Sequence, residues 1–274
     1  MTSILTNNSA MNALNSLRNI NNNLSNTQDR ISSGLKVGSG KDNAAYFGIS
    51  ESMKSDSSLN KAVNESMSLA KNAVATGRLG LEAIVGLASQ YIDRLAFAAN
   101  NENEVDAIDL ELTALGEQMN NILSQSVFNG IDLLSAAGAD LTVTTGVVRG
   151  GGMTATQFTV TAEDVTQMVT DLLAVTAAST FADVDGELTT AKAEFESMVE
   201  YATKLGIAEK SIENQQTFLN TLTDRLDSGI GGMVDADMES EAARLQALQV
   251  QQQLATQALS IANQGPQNIL SLFR

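Results

Sequence analysis

A chain of 274 residues with no histidine, no cysteine and no tryptophan lacks the commonest general base, the commonest transition-metal ligand and every route to a disulfide or thiolate site. Its 32 acidic against 16 basic side chains give a net charge of −16. That balance argues against nucleic acid and against insertion into or adhesion to an anionic membrane, and no apolar run approaches the ~18 residues of a membrane span. No enzyme, no cofactor and no metal site are expected.

The charge is local. Residues 95–191 hold 14 acids and one base (Arg149), whereas residues 1–41 hold four bases and one acid (Asp29). The middle therefore reads as a solvated outer surface and the N-terminus as something covered. The start, MTSILTNNSAMNAL, has neither a basic n-region nor an apolar h-region, so no Sec-type signal peptide is expected.

The first segment reads as a helix from about Ser9 to Ile31, rich in asparagine and serine and hence weak by itself. Leu14, Leu17, Asn21, Leu24, Gln28, Ile31 and Leu35 recur at spacings of three and four, the pattern of a coiled-coil seam. Gly34, Gly38 and Gly40 mark a loop. A second rod is expected from near Ser58, with Val63, Met67, Ala70, Val74, Leu81, Ile84, Ala88, Tyr91 and Leu95 in register. At ~40 residues it would span ~60 Å, against a radius of gyration of ~19 Å for a compact globule of this length, so an elongated molecule is expected. Gly77, Gly80 and Gly86 cross this stripe and suggest that packed rods can slip.

A third helix carries Val105, Ile108, Leu112, Leu115, Met119 and Ile122. Residues of about 140–161 change to β chemistry, with Leu141, Val143, Val147, Val148, Phe158 and Val160 among threonines and a turn at Gly150, Gly151 and Gly152. Thr161 with Asp164 reads as a capping box for a short helix to about Ala178. A further rod opens at Asp185 and Gly186, carries Leu188, Ala191, Phe195, Met198, Leu205, Ile212, Leu219 and Leu226, and is expected to stop at Gly229, Gly231 and Gly232. Asp237 is the expected N-cap of the last helix, whose stripe is Leu245, Leu248, Gln252, Ala255, Leu259 and Ala262. The single proline, Pro266, breaks no helix before it. The fold class is thus mainly α: an elongated, nested helical bundle or coiled coil with a small β-hairpin insertion.

Three stretches carry a resemblance to a known family. SSGLKVGSGKDNAAYFGIS (residues 32–50), FNGIDLLS (128–135) and ANQGPQNILSLFR (262–274) each resemble a signature of bacterial flagellin, in the expected order. The similarity covers roughly residues 1–138 and 186–274, as in a short flagellin with a minimal variable outer domain. It implies a structural subunit that self-assembles into the helical flagellar filament. It also implies paired terminal helices, 1–42 and 233–274, as an inner-tube domain, and a long-rod domain, 43–232, as the outer tube with its β-hairpin at about 140–161. It implies export in unfolded form by the flagellar type III apparatus without a cleaved signal, and an extracellular place in the flagellum. The partners implied are other flagellin subunits, hook-associated junction and cap proteins, and an export chaperone.

Leu14, Leu17, Leu24, Ile31, Leu245, Leu248, Leu259, Ile269, Leu270 and Leu272 are the expected self-assembly contacts, and Arg274 resembles the family's terminal arginine. Asn21, Gln28 and Gln252 would fix register at some cost in stability, leaving the ends to order on polymerisation. Thr142, Thr144, Thr145, Thr154, Thr156 and Thr159 are candidates for O-glycosylation on the outward hairpin, although threonine is first a β-former. The resemblance places Tyr91 where the family's Toll-like-receptor motif has arginine and matches Glu111 to its third-helix glutamate, which implies a weak agonist.

Two weaker motifs fail on their spacing. A phosphate loop ending at Lys41 would need glycine in place of Leu35 and serine or threonine in place of Asp42. A calcium loop starting at Asp235 would need glycine at Ser240 and glutamate at Gln246. The alternative functions are a hook-filament junction protein, which resembles flagellin at its termini, and a cytoplasmic coiled-coil signalling rod.

Overall fold

The structure, a computed structural model, describes residues 7–101, 104–135, 138–149, 153–176 and 183–272, without the side chains of 149, 153, 184, 185 and 265–272. Among the described residues there are six helices: α1 (Asn8–Ser33), α2 (Ala44–Ala98), α3 (Val105–Gln125), α4 (Val165–Ala174), α5 (Val184–Val234) and α6 (Met238–Leu272). An antiparallel pair, β1 (Leu141–Arg149) and β2 (Met153–Val160), stands between α3 and α4. The glycines expected at the hairpin turn, 150–152, lie outside the described residues.

The chain divides into two compact units. The first is built from both ends, Met1–Asp56 and Arg225–Arg274; the second is Ser57–Asp224.

In the second unit the three-four stripe of α2 is buried as a continuous line: Val63, Met67, Ala70, Val74, Leu81, Ile84, Ala88, Tyr91 and Leu95. It packs with Met198, Leu205, Ile212 and Leu219 of α5 and with Ile108, Leu112 and Met119 of α3. Polar cross-links flank this seam. Asn64 Nδ2 donates to Asn220 Oδ1 at 2.7 Å, and Arg78 Nε donates to Glu209 Oε2 at 2.8 Å. Two tyrosines bury their hydroxyls against irregular backbone. Tyr91 donates to the carbonyl of Val175 at 2.8 Å, and Tyr201 reaches the carbonyls of Leu133 at 2.7 Å and Thr161 at 3.1 Å. These carbonyls belong to no ladder; Leu133 O also accepts from Glu163 N at 3.3 Å, and the phenols supply the further donors that buried carbonyls call for. Phe128 and Ile131 exchange both backbone hydrogen bonds around Asn129 (φ 49°) and Gly130 (φ 79°), a tight turn whose two left-handed residues are the pair such turns select.

In the first unit Gly34 (φ 73°) ends α1, and the chain after it pairs with the end of α5. Lys36 N and Val37 N donate to Val234 O, and Ala236 N donates to Gly34 O. Val37, Ile230 and Val234 form a small core with Leu35, Phe47, Met53 and Met233 around it. Asp42 binds the glycine loop back on itself by accepting from Gly38 N, Ser39 N and Ser39 Oγ.

Four local expectations are corrected. The second rod begins at Ala44, not near Ser58, because Asn43 Oδ1 caps it by accepting from Ala45 N and Tyr46 N. The α5 rod does not stop at Gly229, Gly231 and Gly232; it runs to Val234. A Cβ on Gly229 would lie 3.0 Å from Met53 Cε, so this glycine serves close packing inside a helix. Asp164, not Thr161, caps α4, accepting from Gln167 N at 2.9 Å. The three glycines of α2 do not share one sliding face. A Cβ on Gly80 would collide with Ser126, Gly77 touches Leu133 and Leu205, and Gly86 faces open space.

Candidate functional site

The two terminal helices form an antiparallel pair within the first unit. Three polar links run along it: Arg30 Nη1 to Glu241 Oε1 at 3.1 Å, Gln252 Nε2 to Asn21 Oδ1 at 2.7 Å, and Asn7 Nδ2 to the carbonyl of Ala262 at 2.8 Å. Between the links, α6 turns a stripe toward α1. Glu241 and Leu248 are buried, and Leu245, Gln252, Ala255, Leu259 and Ala262 are partly buried. This is the stripe read from the sequence, extended by one polar residue.

On α1 the covered stripe is Ala10, Ala13, Leu17, Ile20, Leu24, Thr27 and Ile31. Leu17, Leu24 and Ile31 take the places expected of them. Leu14, Asn21 and Gln28 do not: each sits one position off the seam and is exposed. Two heptad phases share Leu17, Leu24 and Ile31, and they differ in whether Ile20 and Thr27 or Asn21 and Gln28 are covered. Covering Ile20 and Thr27 desolvates fewer polar atoms, and this phase wins. Asn21 still reaches across from the flank to Gln252. Ile269, Leu270 and Leu272 lie in α6, with side chains outside those described, and Arg274 lies outside the described residues.

One feature of α6 stands out only in the structure. Val250, Leu254 and Ile261 fall on the face opposite Leu248 and are 55%, 59% and 70% exposed. Helix geometry puts these three within about 40° of one another and about 200° from the seam. On α1, Met11 is also uncovered, at 64%. The signal was present as a second three-four series, hidden because the first series accounted for the helix.

The other candidate residues are dispersed over the second unit. Thr142 and Thr159 face each other across the hairpin, and they, Thr154 and Thr156 are exposed; Thr144 and Thr145 are partly covered. Thr145 Oγ1 donates to Thr156 Oγ1 at 3.2 Å, and Thr154 Oγ1 to Val148 O at 3.4 Å. Tyr91 is buried, and burial with the charge of Asp109 pushes its pKa up to about 12. It therefore offers no surface to a receptor, while Glu111 is exposed and pairs with Arg94 Nε at 3.1 Å. Among the described residues no His, Cys, Asp and Glu cluster could hold a metal ion, and no helix is long and apolar enough to cross a membrane.

Comparison with known proteins matches both ends of the chain to one family. The model of the bacterial flagellin N-terminal helical region matches residues 4–139, and that of the bacterial flagellin C-terminal helical region matches residues 188–273. A flagellin of Brucella melitensis biotype 1 is 39% identical over 282 residues, covering all of both chains. Flagellin FljM of Caulobacter vibrioides is 32% identical over 277 residues, covering 100% of this chain and 99% of that one. The crystal structure of Bacillus cereus flagellin matches 66% of this chain and 94% of that chain, at 21% identity and a TM-score of 0.36.

Proposed function

This chain belongs to the bacterial flagellin family, and we propose that its paired terminal helices are the part through which copies join. It is a structural subunit of the flagellar filament and not an enzyme. The observation that carries the proposal is that α6 is apolar on two opposite sides. Leu248 and its stripe are covered by α1, whereas Val250, Leu254 and Ile261 are left facing water. A helix with two apolar faces needs two covers. The second cover is the terminal helices of neighbouring copies. Such contacts join unlike surfaces, do not close, and sum over a lattice.

In this reading Leu14 of α1 meets neighbours directly. Leu17, Leu24, Ile31, Leu245, Leu248 and Leu259 hold the pair that presents the surface, and Ile269, Leu270 and Leu272 extend it. Residues 1–42 and 233–274 then line the inner tube and 43–232 the outer tube. The seam is thin, with Gln252 and Thr27 inside it. That supports a terminal pair that orders on polymerisation after export in unfolded form, without a cleaved signal, to the cell exterior. An export chaperone would cover α6 beforehand, and junction and cap proteins would meet the same helices at the filament ends. The exposed Thr142, Thr154, Thr156 and Thr159, with Thr144 and Thr145 beside them, are proposed as O-glycosylation sites. An intact mass above 28.9 kDa for native filament protein is expected, and a mass equal to it would remove that idea.

Electron microscopy of the purified chain grown from sheared seeds tests the main reading. The unchanged chain should give long tubes. A chain lacking residues 240–274 should give none, and neither should Leu254→Ser combined with Ile261→Ser, although the latter keeps its helix content. Monodisperse particles from the unchanged chain, or unimpaired growth of the double variant, would overturn it.

A further inference from the structure

Proline at position 266 interrupts the hydrogen-bond ladder of α6. In an α-helix the N–H of residue 266 would donate to the carbonyl of Ala262, and proline has no N–H. Yet α6 continues to Leu272. The carbonyl left over is the one that Asn7 reaches: Asn7 Nδ2 donates to Ala262 O at 2.8 Å across 255 residues of chain. The same carboxamide works in the other direction as well, for Asn7 is the N-cap of α1 and its Oδ1 accepts from Ala10 N at 3.1 Å. The residue before the proline is Gly265, which has no Cβ to clash with the ring, so the costs that remain are the stranded Ala262 carbonyl and the ring's crowding of it.

We propose that Asn7 is a register pin. One side chain caps α1 and supplies the hydrogen bond that Pro266 cannot, so α6 holds its helix across the proline only while the two terminal helices stand in this axial alignment. A slip by one turn would leave the Ala262 carbonyl short of a partner and the Asn7 amide group without its acceptor, while the cap, made within α1, would be kept. The other two polar links do not have this property. Arg30 with Glu241 and Asn21 with Gln252 join side chains to side chains, and long side chains follow a small slip. The proline makes the end of α6 conditional on pairing, and the asparagine supplies the condition. This rests on the reading that the terminal pair is the polymerising part, and it names what fixes the geometry of that pair.

The carboxamide can be dissected chemically. Asn7→Asp keeps the capping acceptor and removes the donor, whereas Pro266→Ala gives Ala262 O an ordinary helical partner and removes the need for one. Hydrogen exchange of peptides from residues 258–272 is followed on the full chain, both free and in seeded filaments, for the unchanged protein, Asn7→Asp, Pro266→Ala and the double variant. The expected result is that in the filament, where the pair is ordered, Asn7→Asp speeds exchange in this segment about three- to tenfold, and by no more than about twofold when Pro266→Ala is also present, as the loss of one hydrogen bond predicts. Equal acceleration in both backgrounds, or none in either, overturns the pin. Failure of the unchanged chain to form filaments speaks against the polymerising surface instead, and the exchange data on the free chain then still decide the pin.

Discussion

Arg30 and Glu241 are bonded unequally. Glu241 Oε1 accepts from the guanidinium at 3.1 Å, but its Oε2 is buried with no hydrogen-bond partner among the described residues, and the glutamate side chain is 11% exposed against 38% for the arginine. The pair therefore holds a carboxylate that is half satisfied inside the seam. Removing the cation leaves an uncompensated buried charge, while removing the charge from both sides does not. Arg30→Ala should destabilise the terminal pair by about 1–3 kcal/mol, and Arg30→Ala with Glu241→Gln by clearly less. Denaturant unfolding of seeded filaments of the three chains, followed by circular dichroism, checks this. A double variant no better than the single one would contradict it.

Gly80 and Gly86 lie six residues apart on the same helix and predict opposite outcomes. A methyl group at Gly80 would collide with Ser126, whose own hydroxyl is tied to Ile122 O at 2.6 Å, so the loop after α3 must move. Gly80→Ala should cost about 1–3 kcal/mol, as overpacking does. Gly86→Ala, which meets nothing within 4 Å, should stabilise by roughly 0.5–1 kcal/mol through helix propensity. Melting temperatures of the two variants should move to opposite sides of the parent.

The buried phenols set an alkaline limit. Burial pushes Tyr201 up to about 12, and burial with Asp109 does the same for Tyr91. A folded pKa above the unfolded value of about 10 means that the native state binds more protons between the two. The stability these groups give is complete below pH of about 10 and is lost as pH rises through about 12. Tyr201→Phe should cost about 1–3 kcal/mol at neutral pH, because the Thr161 carbonyl loses the phenol and the Leu133 carbonyl keeps only the 3.3 Å bond from Glu163 N. It should also flatten the alkaline limb of a stability-against-pH curve. An unchanged limb would count against the assignment.

Two carboxylates should act in opposite directions on the acid side. Asp42 is held below the usual carboxylate range, first by Ser39 Oγ and then by the backbone of Gly38 and Ser39. Its contribution is present above the unfolded pKa and disappears as pH falls through the folded one. Burial and the nearby Asp171 raise Glu194, so its effect is favourable below the unfolded value of about 4.5 and is lost as pH rises. Asp42→Asn should therefore weaken the protein at neutral pH, and by less as the pH falls below the unfolded carboxylate range. Glu194→Gln should strengthen it at neutral pH and leave it unchanged at pH 3. Thermal melts at the two pH values separate the cases.

The sequence revealed elements better than their ends. The α6 seam was legible because one phase of leucines and alanines stands out against glutamine. The α1 seam was ambiguous, since Leu17, Leu24 and Ile31 fit two phases and only packing against α6 chooses. Gly229, Gly231 and Gly232 looked like a helix end because a helical glycine that admits Met53 has the same letter as one that stops a chain. Nothing local announced Asn43 as the cap that starts α2 early, or that the phenol of Tyr91 would meet the carbonyl of Val175. The second apolar face of α6 was written in Val250, Leu254 and Ile261 but needed the first face to be occupied before it stood out.

The pairing of α1 with α6 has a consequence for the order in which the molecule can be completed. The unit from Ser57 to Asp224 has its own core and waits for neither end. The terminal unit closes over up to 255 residues and cannot begin until the last helix exists. A chain cut short before Met238 thus has a folded body and a first helix with nothing to pair with. On the proposal that copies join through the terminal pair, such an incomplete copy lacks the surface a growing polymer needs, and its own topology keeps it out.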